Sequence, residues 1–170
     1  MPAYIALLRA LNLMGTRGLP MTELVTICEG LGFQSVRTWI ASGNVVLQSR
    51  KSESAVKSTL EASLTERMGR PVGVMVRTAP EIAAVLAANP FPQNHNSKVQ
   101  AIFLDAPPAA DALANLKNQT KEELRLGLRE IYVYYPDGQG QSRLIIPALK
   151  HGTARNMNTI AKLAAMAAEL

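Results

Sequence analysis

The hydrophobic pattern of residues 1–78 predicts alternating strands and helices. A continuous apolar run from Tyr4 to Leu8 is typical of a buried strand. Two later stretches have apolar residues at helical spacing, and each ends at a glycine, Gly32 or Gly69, which suits a left-handed helix cap. The predicted order is β-α-β-β-α-β, with elements at 4–8, 20–31, 36–40, 44–48, 52–68 and 72–76. This order is typical of a ferredoxin-like sandwich.

The pattern of residues 79–170 repeats the first half in a degenerate form. It predicts helices and strands at 80–88, 99–104, 109–118, 124–128, 131–135 and 143–146, and a last helix from Asn156. We therefore expect an α+β protein of two ferredoxin-like subdomains, each an antiparallel sheet with helices packed on one face. The expected domains are 1–78, a βαββαβ subdomain, and 79–170, a second α+β subdomain packed on the first.

Charge and composition indicate a globular domain with a modest positive balance. The 170 residues are 48% hydrophobic and 18% charged, with a net charge of +5. Residues 1–78 carry nine basic and five acidic side chains, so most of the excess lies there. Such a balance permits an anionic small molecule or a nucleic-acid backbone as partner without requiring either.

The single cysteine and the absence of long apolar runs bear on the compartment. Cys28 cannot form an internal disulfide, which agrees with a reducing cytoplasm. The apolar start is soon interrupted by Arg9, so we expect no secretion signal. No apolar run approaches the roughly 20 residues of a membrane span. The expected location is cytoplasmic, with no membrane partner.

The most informative stretch is 153–159, at the entrance of the last predicted helix. It has the sequence Thr-Ala-Arg-Asn-Met-Asn-Thr, and a helix entrance needs only one such polar residue as a cap. Free helix amides attract an anion, and Arg155 supplies a fixed positive charge beside them. We therefore predict ligand-binding roles for Arg155, Asn156 and Asn158. The alternative is that these side chains serve the fold through capping and internal bridges.

Three further polar residues in predicted connections join this candidate set. Asn12 follows the first strand, and Ser42 and Asn44 flank the turn between the second and third strands. We include all three as predicted ligand-binding residues. The alternative is turn geometry, because asparagine tolerates left-handed backbone.

Catalytic, metal and cofactor motifs are weak in this chain. His95 and His151 have no Cys, Asp or Glu at ligand spacing, so we predict no metal and no cofactor. Cys28 lies in an apolar helix stripe, which favours a buried, unreactive thiol. Catalytic residues stay unknown. Strand 44–48 has no aromatic side chain on which a base could stack, which argues against the usual RNA-recognition mode.

The chain resembles the DUF1697 family, a mainly bacterial family of unknown function. The resemblance rests on motifs in the same order along nearly the whole chain: 4–9, Asn12, Pro20-Met21, Leu24, Leu31-Gly32-Phe33, Val36-Arg37-Thr38, Ser42-Gly43-Asn44-Val45, Val76-Arg77-Thr78, Asn89-Pro90-Phe91, Tyr135-Pro136-Asp137-Gly138 and 155–159. It implies a two-subdomain α+β fold with ferredoxin-like halves. It brings no established activity, cofactor or catalytic residue.

Two positions depart from the family's usual pattern. A glycine-rich Gly-Ile-Asn-Val-Gly-Gly segment is here Ala-Leu-Asn-Leu-Met-Gly at 10–15, so two permissive backbone positions are lost. A tryptophan usual between the last two asparagines is here Met157. Methionine fills core space adaptably, so this change favours a packing role over ligand stacking.

Three functions stay open at the level of sequence. The leading one is a small cytoplasmic protein that binds an anionic ligand, a nucleotide-like metabolite or a nucleic-acid backbone, near the start of the C-terminal helix. The second is an enzyme with a cleft between the subdomains, although arginine and asparagine do not readily transfer protons. The third is a structural or interaction protein, a homodimer included, with no small ligand.

Overall fold

The fold consists of two four-stranded antiparallel sheets with helices packed against them, as a computed structural model of the chain shows. The structure describes residues 1–9, 18–40 and 43–170. The main elements are β1 Ala3–Arg9, α1 Met21–Gly30, β2 Gln34–Thr38, β3 Asn44–Gln48, α2 Glu53–Met68, β4 Gly73–Thr78, α3 Ala79–Ala87, β5 Val99–Phe103, β6 Glu123–Leu126, β7 Glu130–Tyr134, β8 Thr153–Asn156 and α4 Met157–Ala168. The chain divides into two compact units, unit 1 (Met1–Ile82 and Leu163–Leu170) and unit 2 (Ala83–Lys162).

Unit 1 has the strand order β2-β3-β1-β4, all antiparallel. The alternation of β1 places every second side chain on the face covered by α1 and α2. That core contains Tyr4, Ala6, Leu8, Leu24, Cys28, Val45, Leu47, Val56, Leu60, Leu64, Val74 and Val76. The other face of β1 is buried as well, because Ile5 and Leu7 have no exposed area.

Helices α1 and α2 begin and end within one residue of the predicted bounds. Ser52 caps α2 by accepting a hydrogen bond from the amide of Ala55, and Gly69 ends it with a φ of +70°. Gly32 takes a φ of +87° after α1. Strand β2 lies two residues earlier than predicted. Its register with β3 shifts between Gln34 and Arg37, where Ser35 has a φ of +54°, and Ile40 beyond the strand has a φ of +52°.

Unit 2 has the strand order β6-β7-β5-β8, again antiparallel. Strands β5 to β8 thus take the places of β1 to β4, which confirms two ferredoxin-like subdomains. The core of this sheet contains Ile102, Leu104, Leu124, Ile131, Val133, Tyr135 and Ile146. Leu113, Leu116 and Leu144 pack against it from the connecting segments.

Two predictions for unit 2 were wrong. Residues 109–118 form turns rather than a helix, because Lys117 exchanges two backbone hydrogen bonds with Ile145 in an isolated bridge that a helix cannot accommodate. The same bridge is all that remains of the strand predicted at 143–146. Within the described residues, no helix combines the length and the apolar character that crossing a bilayer requires.

Candidate functional site

Arg155 lies in strand β8, one residue before the strand ends, and pairs with Ala101 of β5. Its side chain is buried, with 9% of the residue exposed. The guanidinium Nη1 donates hydrogen bonds to Thr153 Oγ1 at 2.7 Å and to the Ala154 carbonyl at 2.9 Å. Burial lowers the pKa of Arg155 to about 10, so the guanidinium stays charged at neutral pH. The arginine therefore has hydrogen bonds inside the protein.

The other residues of the 153–159 motif divide between the fold and the surface. The side-chain oxygen of Asn156 accepts a hydrogen bond from the Thr159 amide at 2.9 Å, so it caps α4. Met157 has no exposed area, in agreement with a packing role at that position. Asn158, in the first turn of α4, is exposed. Of these three adjacent residues, only Asn158 is exposed to solvent.

Of the three predicted residues in the first half, one is described. Asn44 is fully buried at the start of β3, and its side-chain nitrogen donates to the Trp39 carbonyl at 3.0 Å. The Asn44 carbonyl in turn accepts from the Trp39 amide at 3.1 Å, so Asn44 closes the β2–β3 connection. Asn12 and Ser42 lie outside the described residues. Asn44 belongs to unit 1, whereas Arg155, Asn156 and Asn158 belong to unit 2.

Arg77 is a second buried arginine that sequence reasoning did not include in the site. It lies in β4, one residue before the strand ends, and has no exposed area. Its Nη1 donates to the Val76 carbonyl at 3.0 Å, the same bond to the preceding residue that Arg155 makes. The signal in the sequence is an arginine inside an apolar strand pattern directly before a helix.

The strand registers show that Arg77 and Arg155 occupy corresponding positions of the two units. Arg77 pairs with Ile5, the third residue of β1, and Arg155 pairs with Ala101, the third residue of β5. The next residue in each strand caps the following helix. In unit 1 this is Thr78, whose hydroxyl accepts from the amide of Glu81 at 3.2 Å. The arginine before a helix cap is thus a feature of both units.

Histidine and cysteine positions offer little chemistry. The His95 ring caps a short 3-10 turn through the amide of Ser97. His151 lines an apolar cavity of about 340 Å³. Cys28 is fully buried in unit 1, and this burial raises its pKa to about 12. Among the described residues, no three metal-ligating side chains cluster.

Comparison with known proteins gives a family and a fold. The family model described as protein of unknown function (DUF1697) matches residues 1–132. A solved structure, that of conserved bacterial protein SP0830 from Streptococcus pneumoniae, is similar with a TM-score of 0.78 and 21% identity. The match covers 98% of each chain. No curated protein matches the sequence. Because the family model covers well over half of the residues, the chain belongs to the DUF1697 family.

Proposed function

We propose that the protein is a small cytoplasmic binding protein that holds an anionic ligand at Arg155, in front of helix α4. The observation that carries the proposal is a buried, charged guanidinium two residues before a helix begins. Burial of this cation costs hydration free energy, and an anion bound beside it would offset that cost. The positive end of the α4 dipole attracts the same charge.

The neighbouring asparagines have different parts in this proposal. Asn158 is exposed in the first turn of α4 and supplies a hydrogen-bonding amide to the ligand. Asn156 holds the cap of α4 and so fixes the direction of the helix amides. Arg155 retains 9% exposure, whereas its counterpart Arg77 has none, so solvent reaches only the first of this pair.

A second candidate function is a structural or interaction protein without a small ligand. It is favoured by the bond that Arg77 and Arg155 share, from the guanidinium to the carbonyl of the preceding residue. Arg77 has no exposed area and makes the same bond at the corresponding position, so the bond itself stabilises the end of the strand. In this case the protein acts through contacts with other chains, a second copy included.

The proposal is tested by a thermal-shift panel on the full chain. The probes are inorganic phosphate, citrate, nucleoside mono- and triphosphates, and a short single-stranded oligonucleotide. A ligand at one hundred times its Kd adds about 2.7 kcal/mol of stability, which raises Tm by about 5–10 °C in a chain of this size. Binding of the oligonucleotide alone, weakening steeply with salt, would identify a nucleic-acid backbone as the partner.

Arg77 offers a matched control for this experiment. Arg155→Met removes the charge and keeps an unbranched, largely apolar side chain, so we expect it to abolish the ligand-dependent shift. Arg77→Met changes a buried arginine with the same backbone bond and should keep the shift. If no probe shifts the native protein, or if Arg155→Met responds like the native chain, the anion-binding function is wrong.

A further inference from the structure

A polar cavity in unit 2 is separate from the motif at Arg155. It has a volume of about 360 Å³, within the range of small-molecule sites. Its walls are the segment Asn118–Glu122 before β6, the turn Tyr135–Gly138 after β7, and residues 141–143. The turn is the Tyr-Pro-Asp-Gly motif of the sequence, which the proposed function leaves unexplained.

Tyr135 offers this cavity a hydroxyl that has no partner in the described parts of the protein. The residue is 6% exposed and packs in the core of the sheet, yet it also lines the cavity. Its hydroxyl has no hydrogen bond with any residue that the structure describes. Every fully buried side-chain oxygen or nitrogen in those same parts of the chain has a partner, so the Tyr135 hydroxyl is not fully buried and is accessible to solvent. Tyr135 therefore offers an accessible hydroxyl, with donor and acceptor capacity left for a ligand, at a cavity that the residue lines.

Glu122 provides a fixed acceptor in the same wall. Its carboxylate accepts hydrogen bonds from the Thr120 amide at 2.7 Å, the Ser142 hydroxyl at 2.6 Å and the Thr120 hydroxyl at 3.3 Å. A carboxylate has about four acceptor sites, so capacity remains for a ligand donor. Burial of Tyr135 is the main cause that raises the pKa of its hydroxyl, and the negative charge of Glu122 raises it further, so the hydroxyl stays protonated.

The charge of the lining decides the class of ligand. Two cations and two anions face the cavity, and one pair, Lys121 Nζ and Asp137 Oδ2, lies 3.7 Å apart. Of the four, Glu122 is buried, whereas Lys121, Asp137 and Arg143 are exposed. An anionic ligand beside the buried Glu122 is therefore disfavoured, because like charges repel. A hydroxyl group can donate to Glu122 while a neighbouring hydroxyl accepts from Tyr135.

We propose that this cavity binds a small, uncharged, polyhydroxylated molecule of monosaccharide size. Gln119 and Gln141 add side-chain amides to the lining, which both donate and accept hydrogen bonds as neighbouring hydroxyl groups require. The inference is independent of the anion site, because it uses none of the residues in front of α4.

Saturation-transfer NMR on the full chain tests this site. The probes are pentoses, hexoses and linear polyols at millimolar concentration, with free amino acids and inorganic phosphate as competing classes. We expect saturation transfer to a sugar or polyol. Tyr135→Phe keeps the buried ring and removes the hydroxyl, so the affinity should fall about three- to tenfold, the effect of one neutral hydrogen bond.

Tyr134→Phe is the matched control, since it removes the hydroxyl of the adjacent residue on the other face of β7. The Tyr134 ring lies against Phe91 with centroids 5.7 Å apart. The affinity of Tyr134→Phe for the sugar should equal that of the native chain. Binding that Tyr135→Phe leaves unchanged would overturn the site. Binding of amino acids or phosphate alone would overturn the ligand class, and binding of no probe would overturn both.

Discussion

Buried polar side chains of this protein hold strand ends and connections in place. Arg77, Arg155 and Asn44 each donate to a backbone carbonyl, and no sealed polar side-chain atom in residues 1–9, 18–40 and 43–170 lacks a partner. Such bonds matter because an unsatisfied buried group costs about 1–3 kcal/mol. Some of the polar surplus in the 153–159 motif therefore serves the fold, while the exposed Asn158 does not.

Asn44→Ala should destabilise the protein by about 1–3 kcal/mol, because it removes the bond to the Trp39 carbonyl at a fully buried position. Trp39 is the only tryptophan of the chain, so urea unfolding followed by its fluorescence reports this site directly. The control Asn158→Ala changes an exposed asparagine and should stay within about 0.5 kcal/mol of the native value. Equal effects of the two substitutions would show that the Asn44 bond adds no stability.

At the scale of elements, strand β8 is the element that the hydrophobic pattern conceals. The sequence predicts Thr153–Asn156 as a helix entrance, because the segment is mostly polar, contains residues that cap helices, and is only four residues long. Gly152 is the remaining clue: a Cβ there would lie 2.6 Å from the Phe103 carbonyl oxygen, so only glycine allows this approach to β5. Close backbone contact with a distant strand is not visible in a local pattern.

The connection before β6 depends on the ionised Glu122. Hydrogen bonds from the Ser142 hydroxyl and the Thr120 amide lower the pKa of Glu122 to about 2. An unfolded glutamate titrates near 4.3, so the stabilisation is complete above about pH 5 and is lost as the pH falls toward 2. Glu122→Gln should therefore be less stable than the native chain at pH 7, and the gap should close on acidification.

Urea midpoints at pH 7, 4 and 2.5 measure this gap. Glu123→Gln is the neighbouring control, because Glu123 is exposed and lies 3.7 Å from Arg125 in a surface ion pair. Its difference from the native chain should stay small throughout. A gap for Glu122→Gln that is constant with pH would contradict the role of the charge.

For the whole molecule, the structure confirms the predicted fold class, whereas the ligand-binding residues stay predictions. The α+β class and the strand order of the first half follow from the sequence, since β1, β3 and β4 leave clear apolar runs. In the second half β5 and β7 do the same, whereas β8 does not. The duplication is harder to see because the connections corresponding to α1 and α2 are turns and short 3-10 segments in unit 2. The correspondence of Arg77 and Arg155 appears only in strand register. Asn12 and Ser42 stay predictions, because both lie outside the described residues.

The last helix connects the two units through the chain itself, since Lys162 belongs to unit 2 and Leu163 to unit 1. Leu163 is fully buried, so Leu163→Ala should cost about 2–5 kcal/mol through lost burial and the cavity left behind. Trp39 lies in unit 1, and its fluorescence in urea measures the loss in that unit. Lys162→Ala, one residue earlier and exposed, should change the free energy of unfolding by less than about 0.5 kcal/mol. An unchanged Trp39 transition in Leu163→Ala would mean that the end of α4 contributes nothing to the stability of unit 1.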